Sequence, residues 1–518
     1  MTDDICKMFE EIKALYWNES FRYEHVGRVT KLPSWYSGEL DYTYLEERSS
    51  FNYEFHLEVC GSCSLEEALR HYREGRVGVS HFVSLPLLDG GAKKGIISRE
   101  SVFCVRTDLY FRLEDSYIRD KIVKNWYYSK CSYGGNDVLY LSDIVVCRDS
   151  NMNLLDVEDM KFIDMFVSLA PNVVEGNIKK CVDINPRLIF EAYERRLNSI
   201  IDAAINEEID VLVIDDMGCD ANKCPPEVVA DACRAVLINQ GRGKAFKKVV
   251  FAVDEPYSQS INGSVSIADV FMKRLSRSFM GGLEYSKRQF SIMGDSISTL
   301  LGYNPPEYKV FYSPRDVQIT HVRSMKDTWW GMVINKLDGY LLVNNSWSGS
   351  RVSYNCAYDI PKFSAGCSDE RTRALHIDNV YPDVIMVYIG TNDWGFGVPL
   401  KDEMHAKYGN GSFSNAYETM LLKLRHNYPD ADIWCISLNC SYISANSNFV
   451  FPRELHGIDI YRFNKEIKVL CQYYGCRYID TVSTGLRYDS IDGIHPNKCG
   501  MIELANAIIK VVEKFEKK

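Results

Sequence analysis

The sequence predicts an α/β protein of two domains, each a sheet covered by helices in three layers, and three observations carry that prediction. Short apolar runs rich in β-branched residues recur, such as Val211-Leu212-Val213-Ile214 and Val384-Ile385-Met386-Val387-Tyr388-Ile389. Continuous runs of this kind belong to strands buried on both faces. Segments of helical period lie between them. The series pauses at a polar stretch near residue 260 and starts again, in a chain whose 518 residues exceed one ordinary core.

Taken in order, residues 1–50 read as an N-terminal extension packed on the first domain. They hold a helix over 8–16 and a turn-rich aromatic stretch around Leu32-Pro33-Ser34-Trp35-Tyr36. The first domain, 51–255, opens with a helix over 65–72 and a strand over 77–83 that ends near Asp89-Gly90-Gly91. A helix over 100–109 follows, then strands over 144–147 and 166–169. A long amphipathic helix presents Leu188, Phe190, Tyr193, Leu197, Ile200, Ile201 and Ala204 on one side and feeds the strand 211–214. Gly218 supplies a loop, Pro225 and Pro226 sit where the next helix begins, and 249–253 is a further strand. Residues 256–285 form a linker with a boundary helix, marked by Ser258-Gln259-Ser260-Ile261-Asn262-Gly263-Ser264 and Gly281-Gly282. The second domain, 286–518, opens on a strand from Phe290 that runs into Gly294-Asp295-Ser296 and then a helix. Strands at 341–343, 384–389 and 433–438 and a final helix over 502–515 complete a second, parallel sheet.

Composition excludes several function classes. A formal net charge of -10 argues against nucleic-acid and anionic-membrane partners, since phosphate fields repel such a surface. The N-terminus has acid where a secretory signal needs Lys or Arg, and no stretch approaches the roughly 20 apolar residues of a membrane span. Seventeen cysteines, an odd number without a framework, fit reduced thiols in a cytoplasm. Cys60-Gly61-Ser62-Cys63 and the pair Cys219 and Cys224 are half-sites of unlike spacing with no His beside them, so they read as buried, inert thiols rather than metal ligands. The sequence calls for no metal and no cofactor.

The second domain delivers a polar loop after most of its strands. Ser296 stands at a strand-to-helix turn, where its hydroxyl is lifted clear of the sheet and near the positive end of the helix. Asn344-Asn345-Ser346-Trp347-Ser348-Gly349-Ser350, Gly390-Thr391-Asn392-Asp393 and Asp492-Gly493-Ile494-His495-Pro496-Asn497 follow later. Acyl transfer needs these types: a hydroxyl nucleophile (Ser296), a base that titrates near neutrality (His495), a carboxylate to fix the base's tautomer (Asp492, with Asp480 as rival), and fixed donors for the oxyanion. Those donors are the backbone N–H of Ser296, the backbone N–H of Gly349 and the amide of Asn392. The four loops, over residues 288 to 516, resemble the blocks of the SGNH, or GDSL, hydrolases, in which Ser, Gly, Asn and His stand in that order. The resemblance implies a flavodoxin-like hydrolase fold and a serine esterase.

The first domain carries a different resemblance. Asp89-Gly90-Gly91-Ala92-Lys93-Lys94-Gly95, Ser98-Arg99-Glu100-Ser101, Cys104 and Leu109-Tyr110 are similar to the signature of microbial-type poly(ADP-ribose) glycohydrolases, a branch of the macrodomain fold. So are residues 145–149, 170–172 and Val213 to Asp220, whose Gly218-Cys219 parallels the family's phosphate loop. The resemblance implies a macrodomain-like fold with Gly90, Gly91, Glu100, Gly218 and Cys219 as ligand-binding positions. Aligned without gaps, Asp89 replaces the first glycine, Arg99 the glutamine and Ser101 the acid, and Asp220 stands where a glycine would approach the diphosphate. Serine cannot protonate a leaving ribosyl group at neutral pH, and Asp89 and Asp220 put charge where a diphosphate needs bare N–H groups. This half therefore reads as a degenerate scaffold, an altered nucleotide-like site or a residual glycohydrolase, in that order.

The expected whole is a cytoplasmic esterase for small acyl groups. Its partner is a small-molecule, carbohydrate-linked or nucleotide-linked ester that the first domain presents or recognises, and its oligomeric state is not legible in the sequence. The competing expectation is a non-catalytic, ADP-ribose-related binding or scaffold protein.

Overall fold

The computed structural model describes residues 2–18, 34–36, 56–83, 89–122, 135–171, 185–220, 224–253, 266–276, 287–354, 364–377, 380–401 and 411–516. The chain divides into two compact units, Met1–Glu175 with Pro186–Tyr285, and Gly176–Asn185 with Ser286–Lys518. The stretches 258–264 and 281–282, expected to mark the linker, lie outside the described residues, as do Leu32, Pro33 and Asn172.

The first unit is built on seven strands: β1 (Ser34–Tyr36), β2 (His56–Cys60), β3 (Val77–Val83), β4 (Val138–Val146), β5 (Lys161–Leu169), β6 (Val211–Ile214) and β7 (Lys248–Ala252). Their order is β1-β4-β5-β3-β6-β7-β2. The five strands β5, β3, β6, β7 and β2 run parallel out to the β2 edge, while β4 pairs antiparallel with β5 and β1 antiparallel with β4. β3 and β6 are buried at every residue, as the continuous apolar run of β6 requires. β4 is far longer than the run 144–147. A register shift between Leu141 and Ile144, where Asp143 takes φ 55°, absorbs the polar Ser142-Asp143 pair that hides the strand in the sequence. The N-terminal helix Thr2–Tyr16 lays Phe9 against Tyr110 and Phe111.

Two helices differ from expectation for tertiary reasons. The helix expected over 100–109 is two, Arg99–Arg106 and Leu109–Leu113. Asp108 donates its N–H to the Val145 carbonyl and accepts the Val145 N–H at 2.9 Å, while Thr107 is pulled into extended backbone. A sheet-edge contact thus outbids helix continuation. In the long helix Pro186–Asn206 the structure buries Ile189 and leaves Phe190 half-buried. Both flanks are covered, so Arg196 is also enclosed, with its Nε donating to the Gly135 carbonyl at 3.2 Å.

The second unit holds β8 (Gln289–Gly294), β9 (Tyr340–Asn344), β10 (Val384–Tyr388), β11 (Asp432–Ile436), β12 (Ser441–Tyr442), β13 (Glu454–Leu455), β14 (Ile458–Asp459), β15 (Arg477–Ile479) and β16 (Tyr488–Asp489). Its main sheet has the order β15-β11-β10-β8-β9, all parallel. This is the doubly wound flavodoxin-type order, with its switch point between β8 and β10, where loops at the strand carboxyl ends splay apart and leave a crevice. Helices Trp329–Lys336, Phe413–Asn427, Ile460–Tyr473 and Lys498–Glu516 pack the sheet into one apolar core. The small parallel pair β12 and β16 fixes the segment leading to His495. Trp329 and Trp330 are fully enclosed core residues, Trp330 donating its indole N–H to the Ser298 carbonyl at 3.0 Å.

Candidate active site

β8 ends at Gly294, a position that must lack a side chain: a Cβ there would lie 2.6 Å from Ser298 Oγ and 2.8 Å from Ser346 Oγ. Asp295 then accepts the Ile297 N–H at 3.1 Å and caps a three-residue 3-10 turn, Ser296–Ser298. The helix expected after Ser296 does not form. The Ser298 carbonyl, which a helix would use, is taken by Trp330 Nε1 and by Asn344 Nδ2 at 2.9 Å. Thr299 Oγ1 donates to the Ser296 carbonyl at 2.9 Å and closes the turn. Without a helix there is no macrodipole behind Ser296.

Ser296 is 5 % exposed and its Oγ lies 2.8 Å from His495 Nε2, across 199 residues of chain. On the other side of the ring, His495 Nδ1 lies 2.7 Å from Asp492 Oδ2. The second carboxylate oxygen accepts the N–H groups of Ile494 and His495 at 2.9 and 2.8 Å. Burial pushes the Asp492 carboxyl up, but these bonds from His495 and its neighbours outweigh it and bring it down to about 2. Asp492 is therefore a firm anion beside the imidazole. Asp480 is elsewhere, accepting the Ser483 N–H at 3.0 Å in a surface turn. Asp295, by contrast, is pushed up to about 7, chiefly by burial, against the opposing pull of the Ile297 N–H and His495.

The loop after β9 is bolted to the nucleophile turn. The Gly294 carbonyl receives the Trp347 N–H at 3.2 Å, Ser350 Oγ at 3.4 Å and Arg371 Nη2 at 3.1 Å. Asn392, in the short helix Thr391–Gly395 after β10, donates its amide to the Ser350 carbonyl at 2.9 Å. Gly349, next to Ser350, has φ 85° and open space where a side chain would stand. Among the described residues no acceptor engages the N–H of Ser296 or of Gly349. Ser296, His495 and Asp492 thus form one hydrogen-bonded line, and the loops of Gly349 and Asn392 join it through Ser350.

Two residues given no role in the sequence reading hold this arrangement. Asp393, fully enclosed, accepts the N–H groups of Val352 and Ser353 at 2.8 and 3.1 Å and the Ser353 hydroxyl at 2.6 Å, fixing the far end of the Gly349 loop. Its place beside Asn392, in the same loop block, is the signal for it in the sequence. Arg371 is enclosed and spreads its guanidinium over the Gly294 carbonyl, the Asn345 carbonyl at 2.7 Å and Asn345 Oδ1 at 2.5 Å. Nothing in its local sequence marks it.

In the first unit, Gly90 and Gly91 both have left-handed backbone, with φ 57° and 87°. A Cβ on Gly90 would lie 2.4 Å from the Ser101 nitrogen and 2.5 Å from Glu100 Cβ, so that turn is pressed against the start of the helix Arg99–Arg106. Ser101 serves as a cap: its hydroxyl accepts the Ser98 N–H at 2.8 Å. Asp89 accepts the N–H groups of Gly91 and Lys93 at 3.2 and 3.1 Å. In the loop after β6, Asp216 rather than Asp220 is the carboxylate that takes the amides, accepting Gly218 and Asp220 N–H at 3.3 and 3.0 Å. Asp216 also pairs with Arg99, which links the two loops. Cys219 is enclosed, and burial first, then Asp216, push its thiol well up. Cys60 and Cys63 are half-buried rather than buried, Cys60 Sγ donating to Glu58 at 3.2 Å. Among the described residues, no group of three or more His, Cys, Asp or Glu side chains is arranged to hold a metal, and no helix is long and apolar enough to cross a membrane.

Residues 288–512 match the family described as GDSL-like Lipase/Acylhydrolase, so the second unit carries a hydrolase domain of that kind. No curated protein matches the chain. Among solved structures, the chain is similar to poly(ADP-ribose) glycohydrolase from Thermomonospora curvata, at 21% identity over 52% of this chain and 99% of that one, with a TM-score of 0.44. Poly(ADP-ribose) glycohydrolase from Deinococcus radiodurans in complex with ADP-ribose matches at 20% identity over 48% and 96%, with a TM-score of 0.41. A putative GDSL-like lipase from Bacteroides ovatus matches at 28% identity over 44% and 99%, with a TM-score of 0.33.

Proposed function

We propose that the second unit is a carboxylic ester hydrolase for small acyl groups. The observation that carries this reading is the unbroken relay Asp492 Oδ2, His495 Nδ1, His495 Nε2, Ser296 Oγ, with steps of 2.7 and 2.8 Å. Ser296 Oγ attacks the ester carbonyl while His495 Nε2 takes its proton, and Asp492 holds the Nδ1 proton and steadies the imidazolium. The oxyanion is met by the N–H groups of Ser296 and Gly349 and by the Asn392 amide. His495 returns the proton to the departing alkoxide, leaving an acyl-enzyme that water hydrolyses by the same relay. The open space where a Gly349 side chain would stand leaves room for a substrate beside that N–H. The test is fluorophosphonate labelling. Wild type is expected to label and Ser296→Ala to stay blank; equal labelling of both would remove the assignment.

The first unit is assigned an accessory role, recognising a nucleotide-like or acylated substrate without glycohydrolase chemistry. Ser101 spent as a helix cap supports the second half of that statement. The rival reading, a binding or scaffold protein throughout, is favoured only by this unit. Free thiols at all described cysteines support a cytoplasmic setting. Rates on an acetyl-ester panel with and without ADP-ribose decide whether the first unit influences turnover.

A further inference from the structure

The base of the relay has a neighbour that neither its own loop nor the nucleophile turn supplies. Phe311 stacks face to face on the His495 imidazole, ring centroids 3.7 Å apart and planes 6° from parallel. Its segment has no regular secondary structure, yet it is tied to three of the four site loops. The Phe311 N–H donates to Thr299 Oγ1 at 2.9 Å, and Thr299 Oγ1 in turn donates to the Ser296 carbonyl. The Tyr312 carbonyl accepts the Leu301 N–H at 2.9 Å. The Tyr312 hydroxyl donates to the Pro496 carbonyl at 2.8 Å, one residue beyond the histidine. Two residues earlier, the Lys309 carbonyl accepts the Ser348 N–H at 2.8 Å, beside Gly349.

We propose that Phe311 is the positioning residue of His495, and that residues 309–312 form a clamp holding nucleophile turn, Gly349 loop and histidine loop in register. The proposal rests on the esterase reading of the same site. An imidazole held by Asp492 alone can still tilt about the Nδ1 hydrogen bond, which swings Nε2 away from Ser296. A ring parallel to it at contact distance removes that freedom. The same face carries negative quadrupole density, which stabilises the positive charge the imidazole acquires as it takes the serine proton. Tyr312 is fully enclosed, and burial first, then Asp492 and Asp295, push its phenol well up, so it remains a donor to Pro496.

Two measurements on the full chain test this. With p-nitrophenyl acetate, Phe311→Leu is expected to lower kcat about tenfold with KM changed less than about twofold, and Phe311→Tyr and Phe311→Trp to recover most of the loss. In wild type labelled at histidine Cε1, the signal lost in His495→Gln is expected to lie upfield of the other histidines through the ring current of Phe311. It should return to their range in Phe311→Leu. An unchanged kcat in Phe311→Leu, a loss confined to KM, no recovery by Tyr or Trp, or a His495 signal without the upfield displacement would each overturn the proposal. The wild-type spectrum decides even where Phe311→Leu does not fold. Failure of the esterase reading looks different: wild type would hydrolyse the ester no faster than Ser296→Ala, whatever the position of the His495 signal.

Discussion

Two glycine-bearing turns follow fully buried strands in this chain, Asp89-Gly90-Gly91 beyond β3 and Gly294-Asp295-Ser296 at the end of β8, and they have spent their hydrogen bonds differently. In the first unit, the N–H groups of Gly91, Lys93, Gly218 and Asp220 all end on the chain's own carboxylates, Asp89 and Asp216. In the second, the N–H groups of Ser296 and Gly349 have no acceptor among the described residues, while the Gly294 and Ser350 carbonyls beside them are bonded to Trp347, Ser350, Arg371 and Asn392. A turn with satisfied donors is structure; a turn with unspent donors, rigidly held, can stabilise charge that appears only during a reaction. Asp295 adds to the contrast, since it caps its turn with one oxygen and leaves the two donor loops alone.

The largest effect expected from this contrast is at Ser296. Ser296→Ala should reduce kcat/KM on p-nitrophenyl acetate by about 10⁴-fold or more, and substantial residual turnover would move the chemistry to another residue. Next comes Asp216→Ala in the first unit, which leaves the Arg99 guanidinium without that carboxylate and uncaps two amides. A loss of about 3–5 kcal/mol is expected in denaturant unfolding of that unit, with esterase kcat unchanged; a neutral substitution would mean those amides are not satisfied by Asp216. Asn392→Ala should cost about 10²–10³-fold in kcat with little change in stability, and an effect on KM alone would take Asn392 out of the oxyanion site.

The smallest effect, taken per pH unit, is a pH slope. The Asp295 carboxyl is raised by burial from 3.8 to about 7, so the folded state binds its proton more tightly than the unfolded chain does. Its stabilising contribution is complete below about pH 4 and is lost as pH rises through about 7. Over that window wild type should lose up to about 1.4 kcal/mol of stability per pH unit relative to Asp295→Asn, measured by urea unfolding across the range. Parallel pH profiles for the two proteins would mean Asp295 is ionised throughout.

Much of the fold and of the candidate site is legible in the residues alone. Continuous apolar runs rich in β-branched residues mark strands wherever both faces are buried, which is why β6 and β10 stand out. Strands interrupted by polar residues do not: β4 hides behind Ser142-Asp143, whose bulge only its pairing with β5 explains. Local contacts are legible too. Asp492 reaches His495 three residues away because both lie in one tight loop, and no distant part of the chain is needed for that bond.

The amino-acid sequence by itself therefore determined the residue types, their order along the chain and the short-range partnerships among them. Only the tertiary structure decided what long separations bring together. Ser296 meets His495 across 199 residues, the Ser298 carbonyl is bonded to Trp330 and Asn344 instead of to a helix, and Phe311 and Arg371 close around the site without any motif to mark them. The physical reason is that a hydrogen bond has no preference for sequence distance. Periodicity and spacing report contacts within a strand, helix or turn, whereas which backbone groups are left unspent depends on every element packed around them.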